Sequence, residues 1–182
     1  KLSLVEFDKV NAKKKKILNF NEHNVKLSVL VEKYATNLGS QRIDSCLFNV
    51  VVNKFFGQIG EEANDQEVPI KSKRQLMLKL KKTKHVLSVS QEASISLEGF
   101  WKSHDLKVKV TNEEVYDECQ SLFKETEAFF NKFKEQIIKK DINFDKISQV
   151  QLIGGGTRVP GIRKVIEETW RVHDLEVSNH LN

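Results

Sequence analysis

Apolar and polar residues alternate with a period of two in KLSLVEFD at the start of the chain and again in VKLSVLVEKYAT, Val25 to Thr36. Rich in β-branched residues, these stretches predict two half-buried strands. The intervening KVNAKKKKILNFNEHN breaks the pattern. Its lysines Lys13 to Lys16 and its asparagines read as a solvated hairpin loop, with a polybasic signal as the competing reading. From Ile43 the period lengthens. Ile43, Leu47, Val50, Val51 and Phe55 fall on one face of a helix of about four turns, with Gly57 and Gly60 as stop signals.

EEANDQEVPI reads as a loop, and Pro69 marks the start of a second helix whose inner side carries Leu76, Leu80, Thr83 and Leu87. ASISLEGFW and HDLKVKVT return to alternation around a short polar turn and predict a β-hairpin. Thr111 followed by Glu114 is a capping-box pattern. Val115, Cys119, Leu122, Phe129, Phe133 and Ile137 then keep helical spacing towards Lys140 and predict the longest helix. KISQVQLI predicts a buried strand, the glycines Gly154 to Gly156 a turn, and PGIRKVIEETW a closing amphipathic helix. This order of elements is an α/β arrangement with an inserted helix and hairpin portion.

A chain of 182 residues with 39% hydrophobic content can fill one large domain or two small subdomains. Its formal net charge of +5 changes the picture mainly at the second helix. There Lys71, Lys73, Arg74, Lys79, Lys81, Lys82 and Lys84 form a basic face without an acidic residue. That face reads either as a polyanion-binding module or as a solvated surface. It lacks interleaved aromatics and an RNA-binding signature, so no nucleic-acid partner is expected. Cys46 and Cys119 are far apart and lack any C-x-x-C or zinc-ligand spacing, so neither a disulfide framework nor a metal site is suggested; Cys119 reads as helix packing. No apolar stretch approaches the roughly 20 residues needed to span a bilayer, and no membrane partner is expected. The absence of an initiating methionine leads to the expectation of an excised segment. Phe129, Phe130 and Phe133 read as core. Phe100 and Trp101, at a hairpin tip, are expected to be exposed, with a partner contact as one reading.

The most chemical stretch is VQLIGGGTRVPGIRKVIEE, where a strand runs through three glycines into a helix. Such a turn presents free backbone N–H groups and the positive end of a helix dipole, which suits an anion or a flat ligand laid on the backbone. A tight connection without a ligand is the equal alternative, because the stretch is neither G-x-G-x-x-G nor a G-x-x-x-x-G-K-[ST] loop.

GGGTRVP resembles the G-G-x-T-R-[IV]-P signature of the DnaK-type, seventy-kilodalton heat-shock chaperones. LGSQRIDSCLFNVVVNKF resembles that family's L-G-G-x-x-[FW]-D segment and helix. KLKKTKHVLSVSQEASISLEGF resembles its E-x-x-K-x-x-L-S helix and following strand, and DLKVKVTNEEVYDEC its next strand and capped helix. These blocks stand in family order over nearly the whole chain. The resemblance implies lobe II of an actin-like, ribonuclease H-like ATPase fold, a sheet with flanking helices plus an inserted helix and hairpin subdomain. Residues 40–110 would form the outer subdomain, and residues 1–39 and 111–182 the inner one. The implied cofactor is ATP or ADP, with Mg²⁺ in the intact protein. The catalytic lysine and phosphate loops would lie outside this chain, so no catalytic residue is expected in it.

Carried over residue by residue, the resemblance places adenosine along Gly154, Gly155 and Gly156, with Arg158 at the adenine and Gly39 and Ser40 near the phosphates. Lys84 and Ser88 match the lysine and serine covering ribose and base. Three positions depart from the pattern. Lys81 stands where a ribose-binding glutamate is usual, His85 replaces a stacking arginine, and Ser40 replaces the second glycine of L-G-G. His85 reads as a solvent-facing helix residue, with a titrating gate as the alternative. The departures point to the large relatives, the cytosolic 110-kilodalton and glucose-regulated 170-kilodalton groups. DLKVKVT, the cysteine after the capping box and the lysine-rich insertion look most like the glucose-regulated group. The resemblance therefore implies a nucleotide-exchange factor and co-chaperone acting on an ordinary family member. Unfolded polypeptides would be met by other regions, and the location would be the endoplasmic reticulum lumen, with the cytoplasm as the alternative. A peptide-folding chaperone ATPase is the competing function.

Overall fold

Among the described residues the strands form two antiparallel pairs and one parallel pair. A computed structural model describes residues 1–9, 25–62, 67–171 and 176–179. The loop with Lys13 to Lys16 lies outside them. Strand β1 (Leu2–Lys9) pairs antiparallel with β2 (Val25–Lys33), from Leu2 opposite Lys33 to Lys9 opposite Val25, with a bulge between Leu4 and Val5. The half-buried reading holds at one end, where Val31 is buried and Leu2, Leu4 and Leu30 pack beside it. Phe7, Leu27 and Val29 are exposed.

Helix α1 (Ser40–Ile59) runs through Gly57 and stops at Gly60, whose φ of 73° accepts the left-handed end that a side chain would oppose. Its apolar stripe of Ile43, Leu47, Val50, Val51 and Phe55 is buried. Helix α2 (Ile70–Leu87) starts after Pro69 and buries Leu76, Leu80, Thr83 and Leu87, the face read from the sequence. It packs on the hairpin of β3 (Glu92–Trp101) and β4 (His104–Thr111), whose inward residues Ile95, Leu106, Val108 and Val110 complete this part of the core.

Phe100 and Trp101 are buried, at 0% and 4% exposure, rather than presented at the hairpin tip. The ladder register shifts between Leu97 and Trp101, and Gly99 there has a φ of 57°. This irregularity interrupts the alternation of faces, so two successive side chains turn inward. Phe100 meets Phe55 edge-on at 5.0 Å and Trp101 meets Phe56 at 5.1 Å.

The expected longest helix is two helices, α3 (Asn112–Glu118) and α4 (Gln120–Lys139), separated at Cys119. The capping box is present: Thr111 Oγ1 accepts from the Glu114 amide at 3.3 Å, and Glu114 Oε2 accepts from the Thr111 amide at 2.9 Å. Leu122, Phe130, Phe133 and Ile137 line the inner side of α4, with Phe129 half-buried. Strand β5 (Gln149–Leu152) is short, and only Leu152 is buried, so the expected buried strand is largely exposed. Helix α5 (Pro160–Arg171) packs Val165, Ile166 and Trp170 towards α4 and leads to β6 (Glu176–Asn179), which pairs parallel with β5. A parallel pair needs such a crossover.

The two cysteines are bonded. Cys46 on α1 and Cys119 form a disulfide with a Cα–Cα separation of 5.6 Å, where the sequence suggested no disulfide framework. A single bridge between helices 73 residues apart has no spacing signature. Each cysteine occupies an apolar stripe, which reads equally well as packing.

Candidate functional site

The glycine turn is built by its own threonine. After Leu152, Gly154 takes a φ of 105°, and Gly155–Arg158 form a 3-10 turn before α5. Thr157 closes the turn through two bonds to the Gly154 carbonyl, from Oγ1 at 2.7 Å and from its amide at 3.2 Å. A Cβ added at Gly154 or Gly155 would meet no protein atom within 4 Å. Neither glycine is therefore demanded by packing: Gly154 is required by its backbone angle, and at Gly155 the chain leaves a bare main-chain face.

Gly156 is different. A Cβ there would lie 3.3 Å from Cβ of Ser40, the first residue of α1. Two family positions are thus exchanged in kind. Ser40 stands where the resemblance expects glycine, and a glycine at the variable third position of the turn leaves room for it. The start of α1 has Gly39 as its cap residue, with no side-chain cap bond and no acidic residue in the first turn. Its first amides are open to an anion.

Helix α2 reaches the same place through Lys84. Its Nζ lies 2.5 Å from Asp44 Oδ1 and 3.3 Å from the Ser40 carbonyl oxygen. Asp44 is buried at 4% exposure, and a buried charge requires such a partner. The ion pair with Asp44 and the bond to the Ser40 carbonyl tie the ammonium to α1, and its three donors leave at least one for another acceptor. Ser88, at the end of α2, donates its hydroxyl to the His85 carbonyl at 2.6 Å. Lys81, His85 and Arg158 face solvent, and among the described residues their side chains make no hydrogen bond or ion pair.

Contacts therefore join Ser40, Lys84 and Gly156. Gly39, Gly154 and Gly155 follow by chain continuity and Ser88 lies on the same end of α2, whereas among the described residues no side-chain hydrogen bond or ion pair ties Lys81, His85 or Arg158 to the rest. Asp44 is the residue that sequence reasoning left without a role. Its signal was a carboxylate inside the apolar stripe of α1, one turn from Ser40.

A second constellation runs beside the first along the seam of α1 with α3 and α4. Arg42 holds Glu125 through both terminal nitrogens, at 3.1 and 3.3 Å. Asn49 donates to Glu118 at 2.8 Å, and Lys54 meets Glu114 at 2.5 Å. That bond from Lys54, followed by one from the Thr111 backbone, holds the Glu114 carboxyl below its ordinary value despite some desolvation. The disulfide lies between these polar pairs. Near its Cys119 end a cavity of 280 Å³ is lined by Ile43, Tyr116, Phe123, Val159 and Lys164 among others.

The family model described as Hsp70 protein matches residues 15–180. Heat shock 70 kDa protein 17 of Arabidopsis thaliana is 29% identical over 136 residues, 75% of this chain and 15% of that protein. Hypoxia up-regulated protein 1 of Danio rerio is 29% identical over 129 residues, 71% of this chain and 13% of that protein. Heat shock 70 kDa protein of Trichophyton rubrum is 27% identical over 135 residues, covering 73% and 19%. The chain spans between 13% and 25% of the length of such curated relatives.

Proposed function

The chain belongs to the Hsp70 family, and from that premise we propose that it is lobe II of an actin-like ATPase domain that binds ATP or ADP. Residues 40–110 form its outer subdomain, and residues 1–39 and 111–182 its inner one. The observation that carries the nucleotide reading is the convergence on Ser40. The lysine of α2 bonds to its carbonyl, and the glycine turn closes against its Cβ.

The residues present suit adenosine. The bare backbone at Gly154 and Gly155 accepts a flat base, and the Arg158 guanidinium is free to stack on it. Lys84, oriented by Asp44, keeps a donor for a ribose hydroxyl, and Ser88 stands one turn beyond it on α2. The uncapped start of α1 at Gly39 and Ser40 favours phosphate oxygens. Lys81 and His85 supply neither the carboxylate acceptor nor the planar cation that the family pattern has there. These losses support a pocket retained for binding more than for turnover. Nucleotide held by these residues would supply phosphate charge at the start of α1, at Gly39 and Ser40. Mg²⁺, implied for the intact protein, would accompany the nucleotide phosphates; among the described residues no group of three or more His, Cys, Asp or Glu side chains could hold a metal ion.

In the intact protein this lobe serves a large heat-shock relative that acts as nucleotide-exchange factor and co-chaperone for an ordinary family member. The similarity to hypoxia up-regulated protein 1 and the departures at Ser40, Lys81 and His85 support that branch. A disulfide supports an oxidising compartment, in keeping with the endoplasmic reticulum lumen.

Calorimetry with ADP and ATP tests the pocket. Arg158→Ala should weaken binding by about 1 to 3 kcal/mol through lost stacking. Unchanged affinity removes Arg158 from the site. Salt-sensitive binding of heparin without nucleotide binding would instead favour the basic face of α2. For the full-length protein, accelerated ADP release from an ordinary family member is expected. Robust turnover stimulated by a J-domain would favour a peptide-folding ATPase.

A further inference from the structure

Helix α1 is fastened to α3 and α4 by rungs that run antiparallel: Arg42 to Glu125, Cys46 to Cys119, Asn49 to Glu118 and Lys54 to Glu114. The three polar rungs are exposed or only part-buried, and such pairs hold weakly. The covalent rung is buried, with Cys119 at 0% exposure and Cys46 at 9%. Residue Ser40, where the glycine turn and Lys84 converge, begins the same helix about 1.7 turns before Cys46.

We infer that the Cys46–Cys119 disulfide is a redox-controlled lock on this seam. Oxidised, it holds the start of α1 against the glycine turn; reduced, it leaves the weak polar rungs and the apolar packing of Ile43 and Leu47 in the shared core, and the seam loosens. Reduction needs a dithiol. One thiolate of the reductant attacks the Cys46 sulfur, the less buried of the two, the S–S bond breaks, and Cys119 leaves as a thiolate that takes up a proton. The second thiol of the reductant then displaces Cys46 from the mixed disulfide. The protein gains two electrons and two protons as two thiols, and the reductant becomes a disulfide. Burial makes the first step wait for the seam to part, so the bond resists reduction in the closed protein.

The effect of the lock on nucleotide rests on the reading proposed above, whereas the lock itself does not, and the test separates them. Full-length protein purified under oxidising conditions is digested without reduction and mapped by mass spectrometry, and a Cys46–Cys119 peptide pair is expected. Hydrogen exchange is then compared before and after dithiothreitol. Amides of Ile43–Val51 and Gly155–Val159 should exchange at least about 10-fold faster when reduced and recover on reoxidation. Cys46→Ala should match the reduced protein. Where that variant does not fold, the reversible reduction of the wild type decides. Separate thiols in the oxidised protein, or exchange unaffected by reduction, overturn the lock. Release of fluorescent ADP should be about 10-fold faster when reduced, a coupling of ordinary size. Equal release rates in both states overturn the link to nucleotide. Failure of ADP to bind in either state defeats the nucleotide reading while the exchange data still decide the lock.

Discussion

Gly161, the second residue of α5, has no Cβ because Phe123 of α4 occupies that space. An added methyl would strike Phe123 Cζ and lie 2.8 Å from both Cε atoms. Carbon atoms pack without strain at about 3.5 to 4.0 Å, so the ring or the helix must retreat by roughly 1 Å. The ring is 5% exposed and lies 5.0 Å from that of Tyr116, and although it borders the 280 Å³ cavity it can move there only by giving up that contact. Overpacking of this kind costs about 1 to 3 kcal/mol. Against it stands the helical preference of alanine over glycine, at most about 1 kcal/mol and less in a first turn. Gly161→Ala should therefore destabilise by about 1 to 2 kcal/mol. That lowers the urea midpoint at constant slope and the melting temperature by roughly 2 to 8 °C. Phe123→Leu removes all three clashing atoms. In that background Gly161→Ala should become neutral or slightly stabilising, so the coupling between the two sites is about 2 kcal/mol. Because α5 begins where the glycine turn ends, the single variant should also weaken ADP binding. A Gly161→Ala protein as stable as wild type, or a penalty that survives Phe123→Leu, would refute the reasoning.

Two further outcomes follow from the charged groups. Lys84→Met strands the buried Asp44 carboxylate and should cost about 3 kcal/mol in urea unfolding; a loss below about 1 kcal/mol would mark the pair as screened by solvent. For Glu114, whose folded carboxyl titrates below its ordinary value of 4.5, the stabilisation is complete above that value and is lost as pH falls through the lower folded one. Glu114→Gln should therefore show a stability deficit that is constant at neutral pH and shrinks in acid. A deficit that stays constant in acid would sever the link between Lys54, Glu114 and the cap at Thr111.

Periodicity carried most of the element order, because α1, α2 and α4 each bury one stripe and the stripe is visible in the residues. Ile43 to Phe55 and Leu76 to Leu87 lie inside as their spacing requires. Where a backbone irregularity intervened, spacing misled. Gly99 turns both Phe100 and Trp101 inward, and helical spacing across Cys119 concealed a break between two helices. Strand β6 escaped notice because four residues of EVSN are too short for a pattern and pair only with β5 across α5. At the site, Lys84 and the glycine turn were legible through the family pattern. Asp44, the exchange between Ser40 and Gly156, and the bond from Cys46 to Cys119 depend on which distant residues meet, and a single sequence does not state that.

The bridge also alters what counts as one piece of this molecule. The run from Cys46 to Cys119 leaves and returns at points 5.6 Å apart, so the greater part of α1, all of α2, the β3–β4 hairpin and α3 lie within one covalently closed ring. A protease that cuts once anywhere inside the ring produces no separate fragments until a reductant is added.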